Sequence, residues 1–439
     1  MAVSQPIDES LAKIIDEKDF LKLLQREIQG LLRIHNFLQG QSGAPTMKRF
    51  YSCLMEEARE LKNFLDDFDA RNNREYAYLT ELVLSLVSFS AVGYLVRHVL
   101  MRYPRYYLRD DRDQFIDYHK RAEELLDDCH STLLRVFDAA RREAVVELGI
   151  RPPEDRVDES SFTDLLPRMH LPHNVDDREP GAETGEVPAV ATLFMQFAEE
   201  FDRMDVSNEL EPGAIREFLE KHCPEDCVRS WEAQVYVIQR KYDTLVKGTA
   251  LESREESLRS LRGHISMVLH HFEMLRYQMH YLEHLREGIK DETSSTRLRD
   301  LVDGDTVLEH VYGFSFGMAL RYIGHGKEIA KALLSEYTNV LEYDLQVPEG
   351  KMLHARPASL IVGIVNHHGT PVSLKIGGES CDASSMIQVM MTLGSNSGAR
   401  EVAFRGDEKP LDHLKMLFEN NLGEDGLDSL PDDLAYLGS

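Results

Sequence analysis

Residues 341–376 read LEYDLQVPEGKMLHARPASLIVGIVNHHGTPVSLKI. In this stretch the spacing of apolar residues alternates between the period of a strand and that of a helix, which indicates the fold of this part of the chain. Apolar and polar residues alternate over 343–347, which predicts a strand. Apolar residues then recur at spacings of three and four over 358–365, which predicts a helix, and alternate again over 372–376. The segment therefore predicts a strand, a helix and a second strand in succession.

The pattern continues to about residue 425. Gly377 and Gly378 separate two short extended runs, which favours a hairpin turn. A helical pattern, a further strand around 402–404 and a last helical pattern follow. We expect an α+β open-faced sandwich of order βαββαβα over 341–425, with helices on one face of an antiparallel sheet, followed by an acidic tail over 426–439.

The stretch Leu353-His354-Ala355-Arg356-Pro357-Ala358 falls where the first strand ends and the first helix begins. The first turn of a helix presents unpaired N–H groups and a partial positive charge, which bind anions. An imidazole at this point is nucleophilic when neutral, and the nearby guanidinium of Arg356 can hold phosphoryl oxygens. These are the requirements for a histidine that accepts and passes on a phosphoryl group. An ordinary surface histidine near a helix start has the same short pattern.

Three motifs, in order, resemble the HPr family, the histidine phosphocarriers of the bacterial phosphoenolpyruvate-dependent phosphotransferase system. The first is the LHARPA stretch and the second is Ser384-Ser385-Met386-Ile387-Gln388-Val389-Met390. The third is Phe418-Glu419-Asn420-Asn421-Leu422-Gly423-Glu424, which is similar to the end of the family's last helix. The resemblance implies that His354 is the phosphohistidine and that Arg356 steadies the phosphoryl group.

The same resemblance implies that Ser385 is a site of regulatory phosphorylation and that a neighbouring apolar patch docks on partners. The patch consists of Met386, Ile387 and Met390. A serine at a helix start is also a plain N-cap, and apolar residues at helical spacing are also core residues. The implied partners are an enzyme I-like phosphohistidine donor and a downstream phosphoacceptor or regulatory protein.

The sequence departs from the family pattern at two positions and in its charge. Met352 stands where the family has Gly, and Ser384 stands where it has Lys. From residue 341 onward there are 7 Lys and Arg against 15 Asp and Glu, a net charge of −8. Because HPr proteins use basic residues to meet an acidic donor, these departures bear on the choice of partner more than on the chemistry.

Residues 1–340 show helical periodicity almost throughout. We expect a helical bundle over 1–150 and a second bundle, or a continuation of the first, over 189–340. Residues 151–188 between them hold six of the 16 prolines and many acids without a helical period, which predicts a partly disordered linker. Phe89-Ser90 and Phe314-Ser315 form a weak internal echo, for which chance similarity between apolar helices is the simpler explanation.

Composition narrows the classes of function. The net charge of −26 disfavours nucleic-acid and membrane-surface binding. The uncharged run over 82–96 is shorter than the roughly 20 residues of a membrane span, which favours a buried helix and no membrane insertion. Five scattered cysteines suggest a reducing cytoplasm, where we expect the protein to be soluble. The sequence does not indicate an oligomeric state.

We expect neither a metal nor a cofactor. His280 and His284 have the i, i+4 spacing of a two-histidine metal face, but no HExxH or repeated ExxH accompanies them. No phosphate loop or dinucleotide fingerprint is present, and the spacing of Cys223 and Cys227 favours a structural role.

Two hypotheses about function follow. In the first, His354 carries a phosphoryl group and the helical region is the partner-binding or output module, so the chain is a carrier more than a free-standing enzyme. In the second, the chain is a non-catalytic regulatory protein that uses its small domain for docking only. An enzyme in the helical region is a third reading, supported only by the histidine-rich helix.

Overall fold

The computed structural model describes residues 14–39, 47–162, 186–202, 204, 211–396 and 398–438. Most of this part of the chain is helical, and a small four-stranded antiparallel sheet lies near the C-terminus. The prediction of a large helical region followed by an α+β domain is confirmed at this level.

The helical region contains thirteen α-helices among the described residues. They are α1 Glu17–Glu27, α2 Gln29–Gln39, α3 Lys48–Asp67, α4 Ala77–Arg102, α5 Arg112–Arg142, α6 Val187–Glu199, α7 Pro212–His222, α8 Glu225–Leu245, α9 Ala250–Arg254, α10 Glu256–Glu283, α11 Glu292–Arg299, α12 Gly304–His310 and α13 Gly317–Tyr337. Three wider π-turns extend the ends of α5, α10 and α12, at Glu143–Glu147, His284–Gly288 and Val311–Phe316.

Helices α4 and α10 lie at the centre of this region and pack against each other. Helices α3 and α5 flank α4, whereas α8 and α13 flank α10, and α6 packs on α13. One cluster of buried apolar side chains extends from Phe20 in α1 to Leu333 in α13. Residues from both predicted bundles therefore contribute to the same core.

The uncharged run over 82–96 forms most of α4. The segment Ala77–Arg105 is long and apolar enough to cross a membrane, but 94% of its most apolar window is buried inside the molecule. It is covered by helices on several sides, which explains why its sequence lacks a polar face. The segment is therefore a buried core helix of the helical region.

The first part of the predicted linker packs on the helices. Asn36 in α2 donates to the carbonyl of Pro153 at 2.8 Å, and Arg33 pairs with Asp155 at 3.1 Å. Phe162 is fully buried and contacts the ring of Phe37. Residues 163–185, which include most of the remaining linker, lie outside the described residues, and α6 begins at Val187.

The C-terminal domain has strands β1 Val340–Gln346, β2 Val372–Ile376, β3 Glu379–Asp382 and β4 Glu401–Asp407, and helices α14 Ala355–His368, α15 Met386–Ser395 and α16 Glu408–Glu419. All neighbouring strands are antiparallel, in the order β1-β4-β2-β3. The predicted hairpin at Gly377 and Gly378 is confirmed, since β2 pairs with β3 and both glycines have positive φ, 57° and 93°.

This domain has its own apolar core, separate from that of the helical region. The last described residues belong to it, because Leu434 is fully buried in that core and the ring of Tyr436 stacks on His367 at 3.6 Å. The segment predicted as an acidic tail is therefore packed against α14 and α16.

The helical region meets the domain at the C-terminal end of α14. A Cβ atom at Gly369, which ends α14 with φ of 65°, would lie 3.3 Å from the Cβ of Ala189 in α6. Residues of α6, α8 and α13 line a groove with β2, β3 and the end of α14. The N-terminal end of α14 is the opposite end of the domain.

Candidate functional site

His354 is the N-cap of α14, as its position in the sequence predicts. Its Nδ1 atom accepts a hydrogen bond from the backbone N–H of Arg356 at 3.4 Å. The side chain is 51% exposed. The imidazole is therefore held by the helix end and is open to a visiting molecule.

The first turn of α14 supplies the backbone N–H groups nearest to Nδ1 of His354, and that of Arg356 points at this atom. Pro357 contributes no N–H, and the ring fits here because the first turn leaves N–H groups unpaired in any case. The N–H of Ala358 already donates to the carbonyl of His354 at 3.0 Å. The amides of Ala355 and Arg356 thus remain as the donors that can meet an anion on Nδ1.

Glu424 lies on the other side of the ring. Its Oε1 atom is 3.2 Å from His354 Nε2, and the side chain is 22% exposed. Glu424 and the ring make no hydrogen bond in this arrangement, and the buried Oε1 atom accepts none from the described residues. The carboxylate is placed to balance positive charge on the ring.

The Arg356 side chain is exposed beside His354. Within the described residues, no carboxylate lies at salt-bridge distance from its guanidinium, although the chain as a whole is strongly acidic. A guanidinium without a carboxylate partner is available for phosphoryl oxygens.

Two further contacts fix the loops around the ring. Lys351 pairs with Asp425 at 3.1 Å, and its carbonyl accepts from Arg400 at 3.2 Å. Hydrogen bonds from Asn421 and Lys351 lower the pKa of Asp425. The Lys351–Asp425 pair joins the loop before α14 to the loop that carries Glu424.

Ser385 is the N-cap of α15, where its Oγ accepts from the N–H of Gln388 at 3.4 Å. It is partly exposed. Among the predicted docking residues, Ile387 is 75% exposed and Met390 is 36% exposed, whereas Met386 is partly buried against the core. Met391, which was not among the predicted docking residues, is 69% exposed and extends the apolar surface.

His354 and Ser385 lie at opposite ends of α14. Asn366, in the last turn of α14, donates to the carbonyl of Ser384 at 3.3 Å. The 12 residues from 354 to 366 correspond to about 18 Å of helix. A phosphate on Ser385 would therefore not touch the ring of His354.

The histidines that suggested a metal face are engaged elsewhere. His280 lies 2.8 Å from Glu225, and His284 lies 2.5 Å from Glu81. Over the ranges that the structure describes, no group of three His, Cys, Asp or Glu side chains is arranged to hold a metal ion.

Sequence reasoning placed Glu424 in a family-like helix ending but gave it no role. The contact with His354 joins residues 70 positions apart, so only the fold brings them together. The signal in the sequence that could have pointed to Glu424 was its place in the family-like ending Leu422-Gly423-Glu424.

The fold and this site define a small α+β domain with an exposed histidine capping its first helix. A family model described as "PTS HPr component phosphorylation site" matches residues 342–420. The C-terminal domain is therefore an HPr-family domain, and the match does not extend into the helical region. Comparisons with curated proteins and with solved structures give no match.

Proposed function

We propose that His354 accepts a phosphoryl group from a phosphohistidine donor and passes it to a downstream protein. The observation that carries this proposal is the ring itself, which is 51% exposed and has Nδ1 directed at the first turn of α14. A phosphoryl group on Nδ1 would meet the amides of Ala355 and Arg356, and the Arg356 guanidinium would hold its outer oxygens.

The transfer step balances without another reactant. The lone pair on Nδ1 attacks phosphorus, the N–P bond of the donor phosphohistidine breaks, and the donor imidazole keeps the electron pair. If Nε2 of His354 holds the proton at the start, the phosphorylated ring becomes cationic. Glu424, at 3.2 Å from Nε2, would stabilise that cation.

The roles of the other residues follow from their positions. Ser385 would be a regulatory phosphorylation site, since added negative charge is favourable at the start of α15. Met386, Ile387 and Met390 would form the docking surface, together with Met391. The donor would be enzyme I-like, and the exposed apolar residues would meet it.

The helical region would act as a partner-binding or output module. Its two predicted halves share one core, which supports treating residues 189–340 as a continuation of the first bundle. We place the chain in the cytoplasm, a prediction that its five free cysteines support.

The test is to incubate the full chain with a phosphohistidine donor system and to measure acid-labile phosphate. We expect labelling of the unmodified chain and of His367→Ala, which changes a histidine at the other end of α14. His354→Ala should remain unlabelled. Equal labelling of His354→Ala, or an unlabelled parent chain, would reject the carrier role.

A docking-only role is the second candidate. The net charge of −8 after residue 341 and the exposed apolar side chains of Ile387 and Met391 favour it. In that case a partner would bind His354→Ala as tightly as the parent chain, and neither protein would take up phosphate.

A further inference from the structure

A cavity of about 200 Å³ lies inside the helical region, far in sequence from the HPr-family domain. Helices α4, α5, α10 and α12 line it. A cavity of roughly 150 Å³ in another protein core holds a benzene molecule, so this one has room for a slightly larger apolar group. It opens to the surface between α5 and α12, where its charged residues lie.

The inner wall is apolar. Phe89 and Tyr281 pack edge to face at 5.1 Å between ring centres, and Val92 and Leu125 complete the wall. All four side chains are buried. This wall favours an aliphatic or aromatic group over a fully polar ligand.

Gln278 brings a side-chain amide to the wall of the cavity. It is 6% exposed, and its Oε1 accepts from Ser315 at 2.6 Å. Its Nε2 donates to no residue of the described chain. Ser315 belongs to the π-turn Val311–Phe316, a type of insertion that recurs at functional sites. The π-turn thus holds the amide through its oxygen, and the Nε2 group can donate to a molecule in the cavity.

Three charged residues line the mouth, namely Arg135, Asp128 and Asp303, and Asp303 is already engaged as the N-cap of α12. Arg135 donates to the carbonyl of Leu301 and to Thr132, and no carboxylate in the described part of the chain lies at salt-bridge distance from it. Asp128 binds His310 through Oδ2 at 2.7 Å, and its side chain is 55% exposed. Its other oxygen is therefore available to a cation.

We propose that this cavity binds a free α-amino acid with an apolar side chain. The ligand carboxylate would bind Arg135 and accept from Gln278, the ammonium group would bind Asp128, and the side chain would fill the apolar wall. Arg135 and Asp128 at the mouth of an apolar interior match the two charges of this class, whereas a simple acid or amine would engage only one of these two side chains. The helical region would then sense a metabolite independently of His354.

The test is titration of the full chain with L-leucine and L-phenylalanine, followed by calorimetry and by thermal unfolding. We expect at least one of them to bind and to raise the unfolding temperature at millimolar concentration. The matched ligands are 4-methylpentanoate, which lacks the ammonium group of leucine, and isoamylamine, which lacks its carboxylate. Each should bind about tenfold or more weakly, the usual effect of losing one charged hydrogen bond.

Two variants separate the site from general effects on folding. Arg135→Met removes an exposed side chain, and Gln278→Leu replaces the buried amide with an apolar group of similar size. Both should weaken binding by about tenfold or more. Arg142→Met, on the same helix but away from the cavity, should bind as the parent chain does. Absence of binding by both amino acids, or binding that neither site variant weakens, would overturn the proposal.

Discussion

At the scale of single residues, the two ring nitrogens of His354 have different surroundings. Nδ1 faces the amides of α14, and Nε2 faces Glu424 at 3.2 Å. The nitrogen that would bond phosphorus is thus directed at anion-binding groups, and the other is directed at a carboxylate. This division is a property of the fold, because the carboxylate arrives from beyond α16.

Glu424→Gln tests the carboxylate. We expect phosphoryl transfer to His354 to slow by about tenfold, because the amide cannot balance the charge on the phosphorylated ring. The measurement is the initial rate of acid-labile labelling by the donor system.

Glu419→Gln is the matched control, since Glu419 is an exposed carboxylate of the same region that pairs only loosely with Lys415, at 4.0 Å. It should transfer at the parent rate. If Glu424→Gln also transfers at the parent rate, Glu424 does not stabilise the charge on the phosphorylated ring.

Residue-level reasoning from sequence succeeded where the signal was local. The N-cap position of His354 follows from an alternating run, a proline and a helical run that all lie within about 25 residues. The partner of its Nε2 was missed because that contact depends on the return of the chain after α16. The cavity was missed for the same reason, because four separate helices line it.

At the scale of elements, α15 presents an apolar surface next to its capping serine. Ile387 is 75% exposed, so it contributes little to folding. Ile387→Glu should therefore leave stability within about 0.5 kcal/mol of the parent. It should lower the rate of phosphoryl transfer from the protein donor by about tenfold or more, because a charge would be buried at the contact.

Val340→Glu provides the comparison, since Val340 is 55% exposed on β1, at the opposite edge of the sheet from β3, on which α15 packs. Transfer to that variant should be unchanged. Equal slowing of both variants would place the donor contact elsewhere.

The segment after α16 is the second element with a testable role. Leu434 is fully buried in the core of the domain. Leu434→Ala should destabilise the domain by about 2 to 4 kcal/mol, the usual cost of emptying a core site. Amide hydrogen exchange in α14 reports this loss directly.

Leu427→Ala serves as the reference, because Leu427 is 40% exposed in the same segment. Its exchange should resemble that of the parent chain. Unaltered exchange in Leu434→Ala would mean that the segment is dispensable for the domain.

Helical periodicity located the long elements but not their interruptions. The first described stretch of helical periodicity is two helices, α1 and α2, on either side of Ile28. The π-turns were not predicted, because one extra residue in a turn scarcely changes a spacing of three or four. Packing decides such irregularities, and packing is not visible in a short window.

At the scale of the whole molecule, the helical region should be sensitive to acid. Burial lowers the pKa of His264 to about 4 and that of His271 to about 3. Both rings are therefore neutral in the folded chain, whereas the unfolded chain binds protons below about pH 6.5. The contribution of these two neutral rings to the free energy of unfolding is fully present above about pH 6.5. It is lost as the pH decreases toward 4.

His264 alone should contribute a loss of about 2 kcal/mol between pH 7 and pH 5. Denaturant unfolding at the two pH values, followed by the fluorescence of Trp231, measures the difference. His264→Gln cannot titrate and should show a correspondingly smaller difference. The same pH dependence in the variant and the parent would mean that this imidazole does not set it.

Helix α14 separates the end of the small domain that carries His354 from the end that touches the bundle. From residue 354 to Gly369, which meets Ala189, the helix spans about 22 Å. A visiting donor can therefore approach the ring without first displacing the rest of the chain. A phosphoryl group on His354 would affect the bundle only through the full length of α14, or through a partner that contacts both ends of this helix.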